Sequence, residues 1–252
     1  MGELEGRVAL VTGSTRGIGA AIAERLAAEG ASVVVHGRDE AAADEVVGRI
    51  TAHGGAAIWA LADLTDPAQI DALRLAVEAR LGPVDVLVAN AGSSPVRPGP
   101  LEEMTDEGWR GSIDANLTVT FHTLRAFLPG MKERHRGAIV TMSSAAARRP
   151  TAQSPVGYAA AKAGIELLTR HVALQAGPFG VRANCVAPET ILTDRNRRQI
   201  PPDVQEQLVR SHPIQRLGTP EDVADAVLFL GSDRSAWLTG ITVDVAGGSV
   251  LT

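Results

Sequence analysis

The chain of 252 residues has a single cysteine, Cys185, so no intramolecular disulfide can support a small core, and only 3% of its residues are aromatic, with one tyrosine among them. With so few rings, the interior must be built from Ala, Val, Leu and Ile, the residues of buried strands and of the helices that cover them. No apolar run reaches the roughly 18 residues that a membrane-spanning helix needs, so no membrane partner is expected. Charge of one sign is also scarce. The 24 Lys and Arg and 29 Asp and Glu give a formal net charge of -5 without long single-sign blocks, which argues against nucleic acid or an anionic surface as partner. The opening MGELEGRVALVTG lacks the basic stretch and long apolar run of a secretory signal, and the cytoplasm is the expected compartment. The histidines show no metal-ligand spacing, so no metal is expected, and Cys185 lies in a buried-strand run without an activating neighbour.

What is present is an alternation of short Val-rich runs with longer Ala/Leu-rich segments of helical period, the pattern of a parallel sheet covered on both faces. Strand candidates are RVALVT from Arg7, SVVVH from Ser32, AAIWAL from Ala56, VDVLVA from Val84, GAIVTM from Gly137, VRANCVA from Val181 and ITVDVA from Ile241. Helices are expected after Gly17, over EAAADEVVGRI, over PAQIDALRLAVEARL, continuously from Thr105 to Met131, around Tyr158, and over TPEDVADAVLFLG with Thr219 as N-cap. Right-handed crossovers then predict one α/β domain over residues 1–252, a doubly wound seven-stranded parallel sheet in the order 3-2-1-4-5-6-7. The charged, Pro-containing segment from Glu189 to Pro213 interrupts this rhythm and reads as a substrate lid.

VTGSTRGIG follows the first strand and opens the first helix. Gly13 permits a tight turn, Gly17 lets the backbone approach a phosphate, Gly19 allows close helix packing, and Ser14, Thr15, Arg16 and Ile18 complete the loop. A helix N-terminus attracts an anion there, so a pyrophosphate fits. Tyr158 and Lys162 are four residues apart in a helical run, so the phenol and the ammonium can point into one cleft. A cation beside a phenol of ordinary pKa about 10 favours the phenolate. The alternative reading is a packed tyrosine with a lysine extended over it.

The glycine turn, the Asn90-Ala91-Gly92 run and the Tyr158/Lys162 pair, in this order and spacing, resemble the short-chain dehydrogenase/reductase family. The resemblance runs from VALVTGSTRGIG to TGITVDVAGG, and RLGTPEDVADAVLFLGSD is most similar to reductases of 3-oxoacyl carrier-protein thioesters. It implies a Rossmann fold and an oxidoreductase that interconverts a ketone and a secondary alcohol. Tyr158 is then the general acid/base, and Ser144 bonds the substrate oxygen. Lys162 lowers the tyrosine pKa and holds the nicotinamide ribose, while Asn116 supports Lys162 through a water. The serine could also be Ser143, but the family's serine-to-tyrosine gap favours Ser144. The resemblance further implies a homotetramer built through the Asn116 and Tyr158 helices and the last strand. Rival readings are a dehydrogenase of a sugar, steroid or other secondary alcohol, and a non-catalytic NADP-sensing regulator.

For the cofactor, an acidic residue at the end of the second strand would mark NAD. Gly37 occupies that position and Arg38 follows, an arginine suited to a 2′-phosphate, so NADP(H) is expected, with NAD(H) possible. Asp63 and Leu64 match the adenine contact and Asn90 to Gly92 the adenosine side. Pro188, Ile191 and Thr193 match the segment touching the nicotinamide carboxamide. In that segment the family's glycine is replaced by Glu189, expected to pair with Arg195, Arg197 or Arg198. These arginines, with Arg148 and Arg149, could receive an acidic carrier protein or the phosphates of coenzyme A; otherwise they are solvated loop charges.

Overall fold

The computed structural model of the protein describes residues 2–251. Its strands are β1 (Val8–Val11), β2 (Ser32–Gly37), β3 (Ala56–Leu61), β4 (Val86–Ala89), β5 (Gly137–Met142), β6 (Val181–Pro188) and β7 (Thr242–Val245). All pair in parallel in the spatial order β3-β2-β1-β4-β5-β6-β7, as expected. The helices are α1 (Gly17–Ala28), α2 (Glu40–Ala52), α3 (Pro67–Leu81), α4 (Asp106–Ile113), α5 (Val119–Glu133), α6 (Val156–Ala176), α7 (Asp194–Gln199), α8 (Pro202–Ser211) and α9 (Pro220–Gly231).

Successive side chains of a strand point to opposite faces, so each central strand supplies two cores. Ala9, Val11, Val33, Val35, Val86, Val88 and Val140 meet Ile22 and Leu26 of α1, Val46 of α2 and Val223 and Val227 of α9. Leu10, Val34, Leu87 and Ile139 instead meet Ile70 and Leu73 of α3, Leu124 and Phe127 of α5 and Val172 of α6. Full burial of each such side chain contributes about 1.5–3 kcal/mol, which is why the Val-rich runs are strands buried on both faces. Thr219 precedes α9 as expected, and its N–H donates to the Asp222 carboxylate at 2.7 Å, with Pro220 in the first position.

The continuous helix expected from Thr105 to Met131 is corrected. Between α4 and α5 the chain makes a π turn over Asp114–Thr118. The Asn116 side-chain amide donates to the carbonyls of Ser112 (2.9 Å) and Ser93 (2.6 Å), so it occupies the acceptor its own backbone N–H would use in an α-helix. Because all strands run parallel, the loops after β1, β4, β5 and β6 emerge at one edge of the sheet, where open α/β sheets bind ligands.

Candidate active site

The glycine turn lies between β1 and α1, with Gly13 at φ +64° and Gly17 at φ +55°, a region L side chains avoid. Arg16, the N-cap of α1, is exposed and gives no side-chain hydrogen bond to the helix. The N-terminus of α1 therefore keeps donors free for an anion, which is the chemistry a pyrophosphate requires. The turn is held from beneath. Asn90 at the end of β4 donates from Nδ2 to the carbonyls of Thr12 (2.9 Å) and Gly13 (3.1 Å), and Ala91 N–H donates to Thr12 Oγ1 at 3.0 Å. Ser14 is fully buried, its hydroxyl donating to Val11 O (2.6 Å) and accepting from His36 N–H (2.9 Å). Its side chain supports the turn rather than facing a ligand, while Ile18 packs on the core beneath α1.

A residue that the sequence patterns do not mark completes this support. His36, 3% exposed in β2, accepts the Gly13 N–H at Nδ1 (3.2 Å) and has Nε2 3.2 Å from Ala62 O. Since Ala62 O can only accept, Nε2 carries the hydrogen and the ring is neutral. Burial pushes its pKa down to about 4.

At the end of β2, a Cβ on Gly37 would stand 2.4 Å from Thr15 Cγ2, so an acidic side chain there would have to displace Thr15. Arg38 follows with its side chain 78% exposed and 3.9 Å from Asp63, free to turn toward a phosphate. Asp63 accepts from Thr65 N–H (2.9 Å) and Thr65 Oγ1 (2.7 Å), and these bonds hold its carboxyl below the usual range. Leu64 is buried with Ile70 and Leu73, which leaves its main chain rather than its side chain for a ligand.

On α6, Tyr158 is partly buried and its hydroxyl lies beside Ser144, the residue just beyond β5. The neighbouring Ser143 is buried and donates to Glu166 Oε1 (2.8 Å) and Lys162 O (3.1 Å). Ser144 is therefore the serine at the tyrosine, and Ser143 anchors the end of β5 to α6. Lys162 is 4% exposed, with Nζ donating to Met142 O at 2.9 Å and lying 5.5 Å from the Tyr158 ring centroid. Asn116 Oδ1 is buried without a partner. Gly92 leaves the gap between them: a Cβ there would stand 2.6 Å from Asn116 Oδ1 and 3.3 Å from Lys162 Nζ.

The electrostatics differ from expectation in one respect. Burial pushes the Tyr158 phenol up, opposed by the neighbouring Ser144, and burial lowers Lys162 to about 8. The expected depression of the tyrosine by Lys162 is not seen: burial and Ser144 act on the phenol, while the ammonium is turned to Met142 O.

Beyond β6, Ile191 is buried and bridges to Gly218, and Thr193 caps α7 by accepting Asn196 N–H at 3.2 Å. The Thr193 methyl lies 3.3 Å from where a Cβ on Gly17 would be, so this segment, which starts from buried Pro188, closes over the glycine turn. Glu189 does not pair with Arg195, Arg197 or Arg198. Its carboxylate meets His212 Nε2 at 2.7 Å, because His212 at the end of α8 is folded back on β6 while the arginines lie on exposed α7. Arg148 is also not a solvated loop charge: it pairs with Asp244 (2.5 Å) and Glu166 (3.4 Å), and Arg149 donates to Ser249 O at 2.8 Å.

The family described as enoyl-(acyl carrier protein) reductase matches residues 13–250. The 3-oxoacyl-acyl-carrier-protein reductase FabG of Escherichia coli is 37% identical over 244 residues, covering 97% of each chain. A solved 7α-hydroxysteroid dehydrogenase complexed with NADH and 7-oxo glycochenodeoxycholic acid is 36% identical and superposes with a TM-score of 0.92 over 99% of this chain and 96% of its own. A gluconate 5-dehydrogenase from Burkholderia cenocepacia, in complex with NADP and tartrate, is 33% identical with a TM-score of 0.91 over 98% of this chain and 96% of its own. With the parallel sheet, the glycine turn and Ser144, Tyr158 and Lys162 brought together beyond the end of β5, these matches show that the chain belongs to the short-chain dehydrogenase/reductase family.

Proposed function

We propose that the protein is an NADP(H)-dependent oxidoreductase that interconverts a ketone and a secondary alcohol, with Tyr158 carrying the proton. The observation behind this reading is the convergence of Ser144, Tyr158 and Lys162 beside an uncapped helix N-terminus. When bound, a nicotinamide cofactor supplies or accepts the hydride. Gly13 to Gly19 and the start of α1 would hold its pyrophosphate, and Arg38 with Arg16 the 2′-phosphate. Asp63 and the main chain of Leu64 would meet the adenine, Asn90 to Gly92 the adenosine side, and Pro188, Ile191 and Thr193 the carboxamide. Arg38 at the end of β2, with Gly37 crowded by Thr15, favours NADP(H) over NAD(H).

In reduction Tyr158 donates its phenolic proton to the carbonyl oxygen held by Ser144; in oxidation it takes that proton back. A phenol of ordinary pKa about 10, pushed further up by burial, is protonated at neutral pH, which suits reduction. Lys162 places its charge under the ribose side, and the unpartnered Asn116 Oδ1 faces the gap beside Nζ, where a water can join the two. Residues 189–213 act as a lid, seated on the glycine turn through Thr193. Exposed Trp109, Phe121, Leu167 and Leu174 on α4 to α6, and Trp237 before β7, support a homotetramer built on those faces. Among the described residues no helix is long and apolar enough to cross a membrane, and a cytoplasmic location belongs to the same reading.

The substrate is a small carbonyl or alcohol, and a 3-oxoacyl thioester, on a carrier protein or coenzyme A, is the first to test. With Arg148 committed to Asp244 and Glu166, exposed Arg195, Arg197 and Arg198 remain to meet its phosphates. NADPH oxidation is followed with a short 3-oxoacyl thioester for the unaltered protein and Tyr158→Phe. Loss of the phenol should lower turnover by about a hundredfold or more. Equal turnover in the two proteins would refute the role of Tyr158.

A further inference from the structure

The two ends of the lid segment are joined by one side-chain pair. Glu189 stands directly after β6 and His212 directly after α8, and their Oε2 and Nε2 atoms are 2.7 Å apart. The ring is 3% exposed and its Nδ1 lies 2.6 Å from Leu208 O. A carbonyl oxygen only accepts, so Nδ1 carries a hydrogen. A neutral ring with its hydrogen on Nδ1 presents a bare lone pair at Nε2, and an ionised carboxylate presents only lone pairs. The 2.7 Å contact therefore needs one further proton between the two groups, on the ring or on the carboxyl.

We propose that this shared proton is what clasps the neck of the lid, with Glu189 and His212 as positioning residues for the segment that covers the nicotinamide side. The inference rests on the lid reading of residues 189–213. Through the clasp α8 is tied to the end of β6. The backbone frames the clasp on both sides: Glu189 N–H donates to Val245 O (3.1 Å) and Ile214 N–H to Gly247 O (3.0 Å). The charged groups facing the pair from the packed elements are already matched. Asp244 of β7 pairs with Arg148 at 2.5 Å, and Asp222 of α9 takes bonds of 2.6 and 2.7 Å from Arg216. A cavity of about 230 Å³ lined by Glu189, His212, Asp222 and Asp244 opens beside the pair.

The test is amide hydrogen exchange of the free protein at one pH, read on peptides covering α7 and α8. His212→Gln places an amide N–H where Nε2 stood, so it should keep the protection of the unaltered protein, whereas His212→Phe and Glu189→Gly should show protection lower by about tenfold, the order of one buried charge-assisted hydrogen bond. The clasp is overturned if His212→Gln loses as much protection as His212→Phe, or if Glu189→Gly keeps full protection in α8. Should His212→Gln fail to fold, Glu189→Gly decides alone. The readout needs neither cofactor nor substrate. A lost clasp in an active enzyme faults this inference, whereas an intact clasp in a protein without turnover faults the oxidoreductase reading.

Discussion

Replacing Lys162 by methionine should make the protein more stable while removing its activity. The side chain is 4% exposed and burial lowers its pKa from 10.5 to about 8. At ~1.4 kcal/mol per pH unit, holding the ammonium charged in that environment costs about 3 kcal/mol at pH 7. Methionine keeps the length of the stem and removes the charge, but it leaves Met142 O, now bonded at 2.9 Å, without its donor. That loss is worth about 1 kcal/mol, so the net gain is about 2 kcal/mol. The pH dependence separates this cause from better packing. Below pH 8 both folded and unfolded states carry the proton and the full cost is present. Between pH 8 and 10.5 the folded state has released it while the unfolded state keeps it, so the unaltered protein gains stability as pH rises. The advantage of Lys162→Met should therefore shrink by about 2 kcal/mol between pH 7 and pH 9.5. Urea unfolding at both pH values, at one protein concentration so that any subunit association is held constant, measures it. A variant less stable at pH 7, or an advantage equal at both pH values, would refute the reasoning.

His36 gives the opposite limb of the pH curve. Its pKa is depressed from 6.5 to about 4, so the unfolded chain binds the extra proton first and stability should fall by about 3 kcal/mol as pH drops from 6.5 to 4. His36→Asn, which keeps an acceptor near Gly13 N–H, should show a shallower acid slope in the same unfolding assay; parallel slopes would contradict this. For Arg38→Ala, titration of cofactor fluorescence should show NADPH binding weakened by about tenfold, the scale of one exposed charge-assisted contact, with NADH binding little changed. Equal changes for the two cofactors would remove Arg38 from the 2′-phosphate site.

What was legible in the sequence follows from how local each feature is. The Val-rich runs predicted all seven strands because β1, β2 and β4 are buried on both faces and need apolar residues at every position. The i, i+4 spacing brought Tyr158 and Lys162 to one face because helical geometry alone decides it. Contacts across long separations were not legible. No local pattern says that His36 props Gly13, that Ser143 is taken by Glu166, or that Glu189 meets His212 rather than an arginine a few residues away. The direction of the tyrosine shift was missed for a related reason. Residue types show that a cation is near, whereas the burial of the phenol and the direction in which the ammonium points depend on the whole fold.

The π turn at Asp114–Thr118 has a consequence for chain length. Its i to i+5 closure takes up one residue more than a regular turn, so removing one residue here would restore an α-helical ladder and leave α4 and α5 facing as they do. The shortened chain would keep α4 against α6 and Leu124 and Phe127 in the core, but the Ser112 carbonyl would go to a backbone N–H instead of the Asn116 amide, and Asn116 would leave the gap beside Lys162. In a library of single-codon deletions, this run should keep folded protein but lose turnover even at exposed Asp114, while the exposed loop over residues 97–100 should keep both. The length of the segment, as much as its composition, is then under selection.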